Sequence, residues 1–243
     1  MASKGEYVIL PDPDDILSKN SLKTLYIFAI KYNYEMIRFN IYFGNNTIFE
    51  YNKIKKIKSK TVFKPEIQIY LYYATGKLKY IDLNVTNKFI KRLALIKALN
   101  LLGKKYLNIY LKTFEDQLLN FILYRTVSSF YFLKRIGYYY IINPSSITKK
   151  EFESEHIKHI FINLKIIFSF SKNNNIEKNM FNYFFTDFVV GKSILNRTVL
   201  MNDNKEFYLN ALNIFIQNDF VSIKNKNYMI LLKKKLIAND NKI

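Results

Sequence analysis

The chain has 243 residues, with 38 Lys and Arg against 19 Asp and Glu, a formal net charge of +19, and no Cys or Trp. The absence of cysteine excludes disulfides, thiolate metal sites and a cysteine nucleophile, and two histidines argue against most His-based metal sites. No apolar run approaches 18 residues without a charge, and the first residues lack a signal peptide, so we predict a soluble, cytoplasmic protein.

The excess positive charge predicts adhesion to anionic partners but does not identify one. Lys greatly outnumbers Arg, and Asn, Ile, Tyr and Phe are enriched, as AT-rich codons produce. Phosphate and base recognition relies largely on Arg, because its planar fork binds bidentately. The arginines are scattered, at Arg38, Arg92, Arg125, Arg135 and Arg197. We therefore expect no specific nucleic-acid partner, and peripheral contact with a membrane through the Lys-rich face stays open.

The chain begins with a predicted buried strand over residues 5–10, which leads into a turn over residues 11–15 that can continue neither strand nor helix. A helix follows, with Ser18 or Asn20 as its N-cap and Asn33 at its end. The apolar residues expected on one face of this helix are Leu22, Leu25, Tyr26, Ala29 and Ile30.

A β-hairpin is predicted next, from the β-forming residues 35–43 and 47–51 on either side of Gly44. The Lys-rich residues 53–64 indicate a solvated loop or a sheet edge, and a further strand is expected over residues 136–142. The remaining predicted helices cover residues 66–74, 93–102, 117–127, 156–170, 176–190 and 205–219, and the final residues are expected to be frayed. Residues 1–148 thus indicate an α/β domain with a mixed sheet and flanking helices, and residues 149–243 a mostly helical appendage.

Asp12, Asp14 and Asp15 place three carboxylates within four residues, directly after the first predicted strand. Such carboxylates repel one another unless a cation or several donors lie between them. A hard divalent ion takes oxygen ligands and can bridge carboxylates to substrate phosphates. The carboxyl end of a strand is also where open α/β sheets bind ligands. The alternative interpretation is an exposed turn that starts a helix, for which Asp and Pro are common.

Other candidate residues have equally plain alternatives. Glu115 and Asp116 can be an ordinary acid pair in the first turn of a helix. Lys88 and Lys91 can be solvated, although either could contact an anionic substrate. Tyr138, Tyr139 and Tyr140 could stack on a sugar, but period-2 alternation predicts that one or two of them lie in the core. His156 and His159 have no third metal ligand nearby and are expected at the surface or an interface.

Four segments, in order along residues 3–148, together resemble the family 2 glycosyltransferases. Residues 3–17 are similar to the family's K-G-E-Y…D-S-D-D pattern, and residues 87–92 to its W-N-K-L-I-K-R segment. Glu115-Asp116 is similar to its late E-D pair, and residues 137–148 to its G-Y-x-Y-x-x-N-x-x-S-I-T ending.

The resemblance implies a nucleotide-diphospho-sugar transferase fold of the GT-A type and inverting transfer of a sugar from a nucleotide-sugar donor to a glycan, protein or lipid acceptor. By the resemblance, Asp12 and Asp14 hold Mg²⁺ or Mn²⁺ against the diphosphate, and Asp15 supports them or contacts the sugar. Asp116 is the general base, with Glu115 as the alternative. The candidate substrate contacts are Lys88, Lys91 and Tyr138, together with Asp15.

Two departures from the family pattern matter. Pro11 and Pro13 replace the residues usual around the acids, and the chain reaches the acids at residue 12, whereas family members carry further strands first. We therefore expect a fragment, half of a split gene or a relic, to which a partner chain could supply the N-terminal half. The alternative function is a non-catalytic basic interaction module or an inactive remnant of such an enzyme.

Overall fold

The computed structural model describes residues 3–44, 49–50, 60–63, 84–111, 115–142, 153–170, 178–179, 181–182, 185–186, 194, 197–219 and 221–238. The chain divides into two compact units. Unit 1 comprises Met1–Tyr72, Lys77–Ile109 and Leu119–Lys150, and unit 2 comprises Tyr73–Gly76, Tyr110–Leu118 and Glu151–Ile243.

Unit 1 contains a mixed sheet. Its strands are β1 (Tyr7–Val8), β2 (Ile16–Leu17), β3 (Met36–Gly44), β4 (Phe49–Glu50), β5 (Lys60–Phe63), β6 (Lys88–Lys91) and β7 (Ser129–Ile141). Among the described residues the strand order is β1-β6-β3-β7-β2, with β4 paired to β3 and β5 paired to β7. Strands β3 and β7 are parallel, and the other pairs are antiparallel. The predicted α/β class with a mixed sheet is confirmed.

The helices are α1 (Ser21–Tyr32), α2 (Arg92–Leu102), α3 (Lys104–Leu107), α4 (Glu115–Thr126), α5 (Ser154–Phe170), α6 (Lys205–Ile216) and α7 (Ile223–Ala238), and a 3₁₀ helix covers Thr198–Asn204. Helix α2 ends at Gly103, as predicted, where a φ of 79° suits a residue without a side chain. Within the described ranges, no helix has the length and apolar character needed to cross a bilayer.

Helix α1 ends where the sequence predicts, but it buries a different face. Asn33 adopts a φ of 52°, and its N–H donates to the carbonyl oxygens of Ala29 and Ile30. The buried residues are Ser21, Leu25 and Ala29, which are four residues apart. The exposed apolar residues, against expectation, are Leu22, Tyr26 and Ile30. Each follows a buried residue and is therefore rotated by about 100° from the face that packs on the sheet.

The sheet contains the predicted hairpin, together with strands that were not predicted and one strand that is longer than predicted. Strand β4 pairs Glu50 with Phe43, which confirms the hairpin. Strand β5 lies inside the Lys-rich stretch and pairs with the first part of β7. Strand β7 begins at Ser129, well before the predicted start at residue 136. It also contains a bulge of three extra residues, because Phe39 of β3 pairs with Leu133 whereas the next residue, Asn40, pairs with Gly137. The predicted helix over residues 66–74 and the motif residues 143–148 lie outside the described residues.

Aromatic residues form much of both cores. In unit 1 the ring of Tyr7 stacks on Phe89, with centroids 4.8 Å apart. In unit 2 the rings of Phe168, Phe181 and Phe215 pack against one another, with ring centroids 4.9–5.2 Å apart. Helix α7 lies beyond the predicted helices, and a buried stripe that includes Leu232 stabilises it as far as Ala238. The final residues 239–243, which are expected to be frayed, lie outside the described residues.

Candidate functional site

The acidic segment forms a β-turn after strand β1. The N–H of Asp15 donates to the carbonyl oxygen of Asp12 at 3.2 Å, so Asp12 is the first residue of the turn and Asp15 is the last. Pro13 occupies the second position, where its fixed φ favours such turns. We name residues 11–15 the acid turn. Its geometry exposes the side chains of Asp12 and Asp14, whereas the side chain of Asp15 is half-buried.

Tyr138 anchors the start of the acid turn. Its side chain is fully buried, and its hydroxyl oxygen accepts a hydrogen bond from the backbone N–H of Asp12 at 2.8 Å. Burial first, and then the neighbouring Asp15 carboxylate, raises the pKa of Tyr138 well above its usual range, so the hydroxyl keeps its proton. This hydroxyl therefore fixes the backbone at Asp12, the first residue of the β-turn. The ring, which we considered as a substrate contact, lies in the core.

Asp15 provides a second anchor. Its Oδ1 accepts a hydrogen bond from the backbone N–H of Ile141 at 2.9 Å. The next N–H, that of Ile142, donates to the carbonyl oxygen of Gly44, the last residue of β3, at 2.8 Å. Because β3 and β7 are parallel, their carboxyl ends lie at one edge of the sheet. The acid turn is held at that edge, where open α/β sheets bind ligands.

Asp12 and Asp14 can contribute to a metal site but cannot complete one. Within the described part of the chain, no group of three or more His, Cys, Asp or Glu side chains could hold a metal ion. Mg²⁺ is usually bound through one or two carboxylates together with substrate phosphates, and it keeps several waters. The two exposed carboxylates therefore fit a metal whose coordination is completed by a diphosphate.

Lys88 lies inside unit 1. Its side chain is fully buried, its ammonium donates to the carbonyl oxygen of Asn84, and its Nζ lies 6.0 Å from the ring centroid of Tyr124. Its register partner on β3 is Arg38, which is also buried and lies 4.8 Å from the ring centroid of Phe132. The sequence did not reveal Arg38 as a buried cation. Strand β3 is central and covered on both faces, so its residues do not alternate between core and solvent.

Lys91 and the two tyrosines after Tyr138 occupy half-buried positions. The Nζ of Lys91 donates to Oδ1 of Asn33 at 2.9 Å and so contacts the end of helix α1. Tyr139 stacks on Tyr42 with ring centroids 5.3 Å apart. The prediction that only some of the three consecutive tyrosines lie in the core is confirmed.

Glu115 and Asp116 are the first two residues of helix α4, as predicted. Glu115 is exposed, and Asp116 is half-buried. Negative side chains are stabilised at this end of a helix, because the backbone N–H groups of its first turn point toward them. Asp116 is therefore a partly accessible carboxylate whose negative charge is stabilised by the helix end.

His156 and His159 are buried on helix α5, which corrects the expected surface position. Most residues of this helix are buried, so no side of it presents the histidines to solvent. The Nδ1 of His156 accepts a hydrogen bond from the backbone N–H of Glu153 at 3.0 Å. Burial lowers the pKa of His159, while Glu155 and Glu115 oppose that shift.

An apolar groove of about 570 Å³ runs along β1 and helix α2. It is lined by Ser3, Tyr7, Val8, Ile9, Leu10, Leu95, Leu99 and Leu119. These side chains carry no charge that could bind a diphosphate. The acid turn that follows Leu10, and not the groove itself, is therefore the candidate site for an anionic ligand with a metal.

Neither a protein-family model nor a curated protein matches the chain in sequence. Among solved structures, S. aureus TarS 1–349 in complex with UDP-GlcNAc matches with a TM-score of 0.61 and 19% identity, over 98% of this chain and 66% of that chain. The same fragment in complex with UDP gives a TM-score of 0.58, with 65% of it covered. A longer structure of TarS gives a TM-score of 0.59 at 18% identity, with 39% of it covered.

The chain thus spans about two thirds of TarS 1–349. TarS is a glycosyltransferase, and at this identity the likeness concerns the fold. The acid turn at the carboxyl ends of β3 and β7 therefore lies within a fold similar to that of TarS.

Proposed function

We propose that the protein transfers a sugar from a nucleotide-diphosphate donor to an acceptor hydroxyl, as a metal-dependent, inverting glycosyltransferase of the GT-A type and family 2. The observation that carries the proposal is the acid turn, which Tyr138 and Ile141 hold at the carboxyl edge of a TarS-like sheet. The complexes of TarS with UDP-GlcNAc and UDP make a uridine diphosphate sugar the first donor to test.

In this proposal Asp12 and Asp14 bind Mg²⁺ or Mn²⁺ together with the donor diphosphate. Their carboxylates are exposed, while the backbone of the turn that carries them is fixed by hydrogen bonds. The metal ion, when bound, stabilises the negative charge that develops on the departing diphosphate. Asp15 is half-buried and hydrogen-bonded to β7, so its role is to position the turn.

Asp116 is the proposed general base. In a single displacement, the acceptor oxygen forms a bond to the anomeric carbon as the bond to the diphosphate oxygen breaks, and the acceptor proton passes to the Asp116 carboxylate. Attack from the face opposite the leaving group inverts the anomeric centre. Glu115 is the alternative base, since the two carboxylates are adjacent at the start of helix α4. Lys91 is half-buried, so it stays a candidate contact for the donor or acceptor.

The proposal is tested by measuring donor turnover with UDP-GlcNAc and other UDP- and GDP-sugars in the presence of Mn²⁺. Asp14→Ala and Asp116→Ala are each expected to abolish transfer and donor hydrolysis, while thermal melts show an intact fold. Glu206→Gln is the matched control, because Glu206 is also an exposed acid in the first turn of a helix. Activity at the wild-type level in both alanine variants contradicts the proposed roles. No heat of donor binding by calorimetry at millimolar donor favours a non-catalytic module.

A further inference from the structure

Helix α7 has two apolar faces, and only one of them packs against the rest of unit 2. The buried residues are Asn225, Met229, Leu232 and Leu236, which form a continuous stripe. Four large apolar residues elsewhere on the helix are exposed: Ile223 by 80%, Ile237 by 48%, Leu231 by 44% and Ile230 by 38%. A helix that served only to close the core would carry polar residues at these positions.

Three of the four exposed apolar residues share one side of the helix. Ile223, Ile230 and Ile237 are seven residues apart, so at about 100° per residue they lie within roughly 40° of one another. Leu231 is rotated by about 100° from Ile230 and lies at the border of this side, next to Lys224. Together they form an apolar strip along the solvent side of the helix, which we name the α7 strip.

Lysines border the α7 strip. By the same helical geometry, Lys226 and Lys233 lie on one side of it, and Lys224 and Lys235 lie on the other. Lys234 falls within the strip, and helix α7 contains no Asp or Glu. The α7 strip is therefore an apolar band between two rows of positive charge. The Nζ of Lys233 donates to Oδ1 of Asn213 at 2.7 Å, and long lysine stems allow the other ammonium groups to reach polar surroundings while the apolar residues are buried.

We propose that the α7 strip binds the surface of an anionic lipid bilayer, with the helix lying in the plane of the interface. Apolar residues on one side and flanking lysines are the two features that such helices combine, because each alone gives only weak binding. The lysines complement anionic headgroups, and the chain as a whole carries a net charge of +19. The 16-residue helix is about 24 Å long, shorter than a hydrocarbon core of about 30 Å, and its lysines oppose a spanning orientation.

This proposal is independent of sugar transfer, because binding is measured without a donor. The full chain is sedimented with large vesicles of phosphatidylcholine, with or without about a third of phosphatidylglycerol. We expect binding to the phosphatidylglycerol vesicles that weakens steeply with added salt. The variant Ile223→Gln/Ile230→Gln/Ile237→Gln is expected to lower the partition coefficient roughly tenfold or more. Lys226→Glu/Lys233→Glu should remove the preference for anionic vesicles.

The matched control is Leu22→Gln/Ile27→Gln/Leu93→Gln, which replaces three exposed apolar residues of unit 1. It is expected to bind as the wild type does. Equal vesicle binding by the isoleucine variant and the wild type overturns the proposal. So does a dimer in sedimentation velocity that the isoleucine variant converts to a monomer while vesicle binding is unchanged, because the strip would then be an interface between copies.

A fluorescence measurement checks insertion even if a triple variant folds poorly. The chain contains no Trp, so Ile230→Trp introduces a single reporter on the α7 strip. Its emission is expected to shift to shorter wavelength when phosphatidylglycerol vesicles are added, whereas that of Leu93→Trp should not change. Emission from Ile230→Trp that stays unchanged on saturating vesicles contradicts burial of the strip in the interface.

Discussion

The hydroxyl of Tyr138 holds the backbone of Asp12 at 2.8 Å, although 126 residues separate the two along the chain. A hydrogen bond from the Ile141 N–H to Oδ1 of Asp15 at 2.9 Å completes the attachment. Strand β7 thus fixes the turn that carries the proposed metal ligands.

Tyr138→Phe keeps the buried ring and removes only the hydroxyl. It leaves the Asp12 N–H without its partner, so we expect a loss of about 1–3 kcal/mol in the free energy of unfolding. If the turn positions a metal, the variant should also need more Mn²⁺ for half-maximal activity. Urea unfolding and a Mn²⁺ titration measure the two effects. Tyr110→Phe, at a tyrosine that is 77% exposed, should change neither. An unaltered Mn²⁺ requirement would limit Tyr138 to a structural role.

Two lysines of one strand are expected to differ in their effect on stability. Lys88→Ala removes a fully buried side chain that packs beside Tyr124, and we expect a loss of about 2–4 kcal/mol. Lys91→Ala removes a half-buried side chain and one contact with Asn33, and should cost less than about 1 kcal/mol. Chemical denaturation of both variants tests the difference. Similar losses would argue against the burial of Lys88.

Acid should destabilise the protein through His159. Burial lowers its pKa in the folded state, and the nearby Glu155 and Glu115 oppose the shift, whereas His156 and Lys158 add to it. The stability that depends on the neutral ring is present above the ordinary pKa of about 6.5 and is lost as the pH falls below it. In His159→Gln, the free energy of unfolding should therefore change less between about pH 7 and pH 5. A parallel pH profile for variant and wild type would contradict this assignment.

High pH should destabilise the protein through ionisation of the Tyr7 hydroxyl. Its hydroxyl donates to the carbonyl oxygen of Tyr34 at 2.9 Å, and burial, with Glu6 and Glu35, raises the pKa of Tyr7 to about 12. The stability that depends on the neutral phenol is complete below the ordinary pKa of about 10 and is lost as the pH rises through 12. Tyr7→Phe is expected to flatten the decline of unfolding free energy above about pH 10.

Tyr110→Phe serves as the control for the alkaline measurement as well, because this tyrosine side chain is 77% exposed. Tyr138 and Tyr208 also have pKa values raised by burial, so some decline should persist in Tyr7→Phe. The prediction concerns the difference in slope between Tyr7→Phe and the wild type. If the two slopes are equal, the Tyr7 hydroxyl does not ionise late in the folded protein.

Local patterns in the sequence determined most helices and several strands. Helix α1 ends at Asn33 and helix α2 at Gly103 because both positions have a positive φ, which Asn and Gly adopt more readily than other residues. The acid turn was visible as Asp and Pro after a buried strand, and its β-turn geometry follows from Pro13 at the second position. These features depend on neighbours within a few residues, so periodicity and turn chemistry are sufficient to find them.

Only the tertiary structure decided which residues meet. The contact of Tyr138 with Asp12 depends on the pairing of β2 with β7, and the burial of Lys88 depends on its place in β6 beside the central strand β3. Periodicity shows that a strand has two faces, but it does not tell which strand lies beside it or what covers each face. The sequence did not predict helix α7 for a similar reason, because two apolar faces and many lysines obscure its helical period. Packing against neighbouring elements decides which of the two apolar faces is buried.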